Sequence, residues 1–174
     1  MNNGQSGFLL VYKPAGITTY DIIRIVKKRT GQKKIGHTGT LDPFAEGIVI
    51  LLLGQMTRMF DYFSTLEKNY RAFAEFGKKT DTLDVTGTVI SESPVPDIET
   101  INANIHYFTG RIKQQPPDYS AVHVNGKRAY ELARNGIKPE TRKKTVYVHS
   151  ITINSYKNNI LDFNISCSSG TYIR

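Results

Sequence analysis

Cysteine is nearly missing from this chain: Cys167 is the one thiol among 174 residues. An internal disulfide is therefore excluded, nothing argues for an oxidising compartment, and the residue reads as a small buried one. Long apolar runs are missing too. The longest, Ile48 to Leu53, is the length of a buried strand and far short of the ~18 residues a membrane-spanning helix needs. The start, Met1 to Gly7, is polar and has no basic segment followed by an apolar one. No secretion signal is expected, and cytoplasm is the expected location. The four histidines, at 37, 106, 123 and 149, lack close metal-ligand spacing. There is no Walker loop, no dinucleotide fingerprint and no His-Glu-x-x-His, and no internal repeat or low-complexity tract.

What is present is a chain with 39% apolar residues, enough for one medium domain with its own core. Its charge is +8 and unevenly spread. Residues 1–40 hold seven Lys/Arg against one Asp, residues 41–110 hold five against ten acidic residues, and residues 111–174 hold eleven against four. Two basic segments flanking an acidic one can fold into a single basic face, which suits a polyanion such as nucleic acid.

Phe8 to Val11 reads as a strand and Lys13-Pro14-Ala15-Gly16 as a turn. Thr18-x-x-Asp21 has the form of a capping box, followed by Ile22, Ile23, Ile25 and Val26 at helical spacing. Lys27, Lys28 and Arg29 sit where the helix dipole favours cations, and Gly31 stops the helix. A loop over 36–43, a buried strand over 48–53 and a short helix over 57–64 follow. Tyr70 to Phe76 alternates as a strand does. Residues 78–87 read as a polar, solvated connector, and 91–96 as a turn-rich one too short to claim as a domain boundary. Asp97 caps a helix running to about Phe108. Tyr119 to Val124 reads as a strand ended by Asn125-Gly126, then a helix over 127–134 with Gly136 at its end. Residues 146–156 and 160–167 form a hairpin around Asn158-Asn159. These elements suggest a mixed sheet with helices packed on it; periodicity does not reveal strand order.

The densest signal is Gly36-His37-Thr38-Gly39-Thr40-Leu41-Asp42-Pro43. Its glycines let the backbone bend or approach a ligand closely, and Pro43 biases Asp42 toward an extended conformation. Asp42 is thus a carboxylate on a shaped loop between buried elements, although an Asp-Pro pair by itself is commonly only a turn former.

This octapeptide, with Gly47 after it, is similar to the catalytic loop of the TruB family of pseudouridine synthases. Four further blocks resemble that family in the same order. They are Gly7–Leu10 with Lys13–Gly16, then Lys68-Asn69-Tyr70-Arg71-Ala72. Gln115–Ala121 with Asn125–Arg134 follows, and last Cys167 with Gly170-Thr171-Tyr172-Ile173-Arg174. The resemblance implies an α+β pseudouridine synthase fold, a mixed, mostly antiparallel sheet with flanking helices. It implies a catalytic domain spanning 1–174. It also implies an isomerase that converts a uridine in the T-arm stem-loop of tRNA to pseudouridine, by base flipping and without cofactor or metal. No membrane, obligatory protein partner or guide RNA is expected.

The resemblance also assigns roles. Asp42 is the catalytic carboxylate, which attacks C1′, attacks C6, or removes the 2′ proton; the sequence leaves all three open. Arg174 pairs with it, keeping it ionised and oriented. Tyr70 stacks on the flipped uracil and bears on removal of the C5 proton. Tyr172 and Ile173 line the same pocket. His37 positions RNA. Lys13 reaches either a phosphate or the Asp42 loop. His123 departs from the family's usual lysine. The family pattern runs on past its Gly-Thr-Tyr-Ile-Arg motif, often to a small C-terminal RNA-binding domain, so the polypeptide is expected to continue beyond Arg174. Two alternatives stay open: a guide-dependent pseudouridylase subunit and a catalytically silent RNA-binding module.

Overall fold

The computed structural model describes residues 5–174; most of the polar start read from the sequence lies outside them. The chain divides into two compact units, up to Leu66 and from Glu67 onward.

In the first unit, β1 (Gly7–Lys13) leads into α1 (Thr19–Thr30), followed by β2 (Ile35–His37), β3 (Gly47–Leu53), a 3₁₀ turn over Gly54–Met59 and α2 (Phe60–Ser64). The sheet order is β1-β3-β2, with both pairings antiparallel. The capping box forms as the spacing demands: the Thr18 hydroxyl accepts from the Asp21 amide at 3.1 Å, and Asp21 accepts from the Thr18 amide at 2.9 Å. Gly31 ends the helix in the left-handed region at φ 68°, where a side chain would be strained. Lys27, Lys28 and Arg29 are exposed at that end. Ile22, Ile23 and Val26 pack on Val49 and Leu51 of β3, each contributing roughly 1.5–3 kcal/mol by leaving water. Leu41 joins this cluster, which anchors the residue before Asp42. The strand at 48–53 is not buried throughout, for Ile48 is 69% exposed.

The second unit holds β4 (Lys68–Glu75), β5 (Lys78–Thr80), β6 (Val89–Glu92), α3 (Ile98–Asn104), a 3₁₀ turn over Ile105–Phe108 and β7 (Gly110–Gln114). It continues with β8 (His123–Val124), β9 (Lys127–Arg128), α4 (Ala129–Arg134), β10 (Lys144–Lys157) and β11 (Ile160–Cys167). The main sheet runs β4-β11-β10-β7, and β5-β6 and β8-β9 are separate two-stranded ribbons. Every strand pair among the described residues is antiparallel. β4 alternates half-buried and exposed positions along its length, as the sequence anticipates. Val148, Ile165 and Cys167 form the sheet's buried cluster. Cys167 is a fully buried free thiol.

Three further expectations are corrected. Tyr119–Val124 is a strand only at its last two residues. Its carbonyls turn back on α4 instead of a sheet neighbour: Val122 accepts from the Ala129 amide at 2.8 Å and Ser120 from the Tyr130 amide at 3.0 Å. Residues 78–87 are not a plain connector, since their start forms β5, paired with β6 from within the stretch beyond. The helix from Asp97 is α-helical only to Asn104 and then tightens into the 3₁₀ turn.

Candidate functional site

Three of the candidate residues lie in the first unit. Asp42 sits half-buried on the loop between β2 and β3, and that loop is tied down on both sides of it. Before it, the buried Thr19 hydroxyl accepts from the Leu41 amide at 3.1 Å. After it, the Pro43 carbonyl accepts from the Gly16 amide at 2.8 Å. Lys13, whose exposure is 0%, directs its Nζ at three carbonyls: Ala45 at 2.6 Å, Pro14 at 3.0 Å and Pro43 at 3.2 Å. An ammonium has three N–H donors, so these contacts account for all of them. Of the two roles open to Lys13, the geometry is that of holding the Asp42 loop. Burial lowers the Lys13 pKa, while the negative charges of Asp42 and Glu46 pull it back up.

His37 ends β2, and its amide neighbour Thr38 is fixed to the Ile50 carbonyl at 3.1 Å. Burial holds the imidazole below its usual range, against an opposing pull from the Gly39 backbone. The ring is therefore neutral at pH 7, suited to hydrogen bonding and not to charge pairing with phosphate.

The other four candidates lie in the second unit. Tyr70 of β4 and Ile173 pack on the same cluster of Val148, Ile165 and Cys167, so the fold brings these two together. Tyr172 is held through its backbone: its amide donates to Gln114 Oε1 at 2.8 Å, and its carbonyl accepts from Gln114 Nε2 at 2.7 Å. Its side of the chain lines a cleft of about 730 Å³ with His123, Glu140, Arg142 and Lys144.

Arg174 is not a loose terminal arginine. Its side chain is 10% exposed. Nη1 donates to Asp84 Oδ2 at 3.1 Å and to the Thr82 carbonyl at 3.2 Å, and Nη2 donates to the Tyr119 carbonyl at 2.5 Å. Asp84, on the stretch that reads as a solvated connector, has a side chain only 6% exposed. Burial raises the Asp84 pKa, but the Thr86 hydroxyl and amide, the Thr82 hydroxyl and the Arg174 charge together outweigh it and leave the carboxyl below the usual range. Asp84, Thr19 and Gln114 are the contributors that sequence reasoning misses. A hint for Asp84 exists in Thr80–Thr88, where threonines alternate with two aspartates.

No group of three or more His, Cys, Asp or Glu among the described residues is placed to hold a metal ion. No helix there is long and apolar enough to cross a membrane.

The fold is α+β, antiparallel sheets with flanking helices, and it is the pseudouridine synthase fold. The chain is similar to one in the crystal structure of a Cbf5-Nop10-Gar1 complex, with a TM-score of 0.70 at 27% identity, covering 99% of this chain and 42% of that one. The model of the TruB family pseudouridylate synthase (N terminal domain) matches residues 27–173, and the chain belongs to that family. Among curated relatives, tRNA pseudouridine synthase B of Borreliella burgdorferi (strain ZS7) is 43% identical over 173 residues. The one from Chlamydia pneumoniae is 45% identical over 172 residues. Each alignment takes in 98% of this chain, but the chain spans 61% of the first relative's length and 73% of the second's.

Proposed function

We propose that this chain is the catalytic part of a tRNA pseudouridine-55 synthase, acting on the T-arm stem-loop in the cytoplasm without cofactor, guide RNA or obligatory protein partner. The observation that carries the reading is the loop of Asp42, pinned by Thr19 on one side and by Lys13 and Gly16 on the other. A carboxylate that must meet one atom of a flipped nucleotide needs a backbone that does not drift. The names of the curated relatives point to the same substrate.

In this reading the target uridine leaves its stack, and Tyr70 offers the aromatic face on which the uracil lies. Tyr172 and Ile173 line the same pocket, and neutral His37 positions the RNA by hydrogen bonding. Asp42 assists cleavage of the N1–C1′ bond by attack at C1′ or C6, or by taking the 2′ proton. The uracil turns, C5 joins C1′, the C5 hydrogen leaves as a proton and N1 gains one. Arg174 is a group the reaction needs, and its guanidinium is held by Asp84. No atoms are gained or lost, so neither an energy source nor a redox partner is required.

The test is release of tritium from tRNA labelled at uridine C5. The chain should release it, and Asp42→Asn should not, while binding tRNA nearly as well. Turnover by the Asn variant would remove Asp42 from the reaction. Tritium retained by the unaltered chain despite tight tRNA binding would favour the silent binding module.

A further inference from the structure

The stretch Thr80–Thr88 encloses one carboxylate to an unusual degree. Asp84 Oδ1 accepts three hydrogen bonds: from the Thr86 hydroxyl at 2.6 Å, the Thr82 hydroxyl at 2.8 Å and the Thr86 amide at 2.9 Å. Its other oxygen, Oδ2, accepts from Arg174. A carboxylate oxygen has two lone pairs, so Oδ1 is saturated and Oδ2 is the oxygen left for a guanidinium. The backbone closes around this arrangement. The Thr80 hydroxyl donates to the Asp84 carbonyl at 2.8 Å, and Leu83 adopts a left-handed φ of 60°. A side-chain carbon on Gly87 would run into the Thr82 hydroxyl and Asp81.

The two aspartates of the loop have different duties. Asp81 Oδ1 caps the amides of Thr82 and Thr88 at 2.9 and 2.8 Å. Asp84 faces Arg174 and is shut away from water with it. The carbonyls of Thr82 and Tyr119 orient the guanidinium but carry no compensating charge. Asp84 supplies that charge only while it is ionised, and a carboxylate this buried stays ionised when donors point at it.

We propose that Thr82 and Thr86 are positioning residues for the isomerisation: their hydroxyls hold Asp84 in one orientation and in its charged form, and Asp84 in turn fixes Arg174. This rests on the reading of Arg174 as a group the reaction needs. The charge of Arg174 acts on Asp84 from the chain's far end, while Asp81 on the same loop is taken up by the Thr82 and Thr88 amides. Valine has threonine's shape without the hydroxyl, so Thr82→Val and Thr86→Val subtract the donors alone. Serine restores a donor.

The experiment measures single-turnover tritium release against pH, together with tRNA affinity, for Thr86→Val, the double valine variant and Thr86→Ser. Loss of hydrogen bonds to a charged group should slow the valine variants by about tenfold near pH 6. Without those donors Asp84 protonates more readily, so the acid limb moves to higher pH and the rate recovers as pH rises. Affinity should stay within about twofold, and Thr86→Ser should track the unaltered chain. A uniform loss at every pH, or no loss, would overturn the proposal. A second measurement is independent of turnover. The ¹³Cγ resonance of Asp84 should titrate at higher pH in Thr86→Val than in the unaltered chain; an unmoved midpoint overturns the proposal. If that midpoint moves while the unaltered chain releases no tritium, the threonine clamp stands as structure and the assigned reaction falls.

Discussion

Each candidate side chain can be judged by what surrounds it. Tyr70 combines an aromatic face with a hydroxyl, and substitution separates the two. Tyr70→Phe keeps the ring and should bind tRNA as tightly as the unaltered chain, with any slowing assigned to the hydroxyl. Tyr70→Leu removes the stacking surface, which is worth about 1–3 kcal/mol per base in single-strand binders. Single-turnover rates and affinities of the two variants decide the matter; if both match the unaltered chain, Tyr70 is only a core residue beside Ile165 and Cys167. Asp42 and Tyr70 stand out as candidates in the sequence because each lies in a compact run of characteristic residues. Asp84 does not: its neighbours are small and polar, which reads as solvation, and no local pattern announces the approach of Arg174 from ninety residues away. Thr19 was missed for a related reason. It follows the capping residue directly, so local reasoning spends it on the helix start, whereas its hydroxyl serves Leu41.

Among elements, α1 was the most fully readable, because cap, apolar stripe, basic end and terminal glycine all agree. It also bears on the site, since Thr19 and the helix's apolar face both hold the loop that precedes Asp42. Thr18→Ala removes one half of the capping box. It should cost about 1 kcal/mol, seen as a lowered denaturant midpoint with unchanged slope, and leave the rate per folded molecule unaltered. An unchanged midpoint would mean that packing on Val49 and Leu51 alone fixes the helix start. β7 escaped detection because Ile112 is its single inward apolar residue, which is too little alternation to register. The segment after Gln115-Pro116-Pro117 misled in the other direction. Its strand-like composition is used to cradle the start of α4, a role set by hydrogen bonds from Ala129 and Tyr130 that no local pattern announces.

At the scale of the whole molecule, the charge of +8 should make tRNA binding steeply salt-dependent through counterion release. Lys27, Lys28 and Arg29 are exposed at the end of α1. If they meet phosphates, neutralising all three should lower the slope of log affinity against log salt by about 0.7–0.9 per lost contact. An unchanged slope would assign them to the solvated helix end and turn attention to Arg142, Lys143 and Lys144, of which Arg142 and Lys144 border the cleft beside Tyr172.

The seat of Lys13 gives the chain a built-in reporter. Amine-reactive reagents modify lysines that water can reach, yet this one is sealed among the carbonyls of Pro14, Pro43 and Ala45. Under brief acylation, peptide mass spectrometry should find Lys27 and Lys28 labelled early and Lys13 last. Its labelling can proceed only as fast as the loop around Asp42 lets go, so the lag is a clock for that opening. The clock should slow when tRNA is bound and quicken in Thr19→Val, which frees the loop from its other side. Prompt labelling of Lys13 in the unaltered chain would mean that the loop opens on its own within seconds.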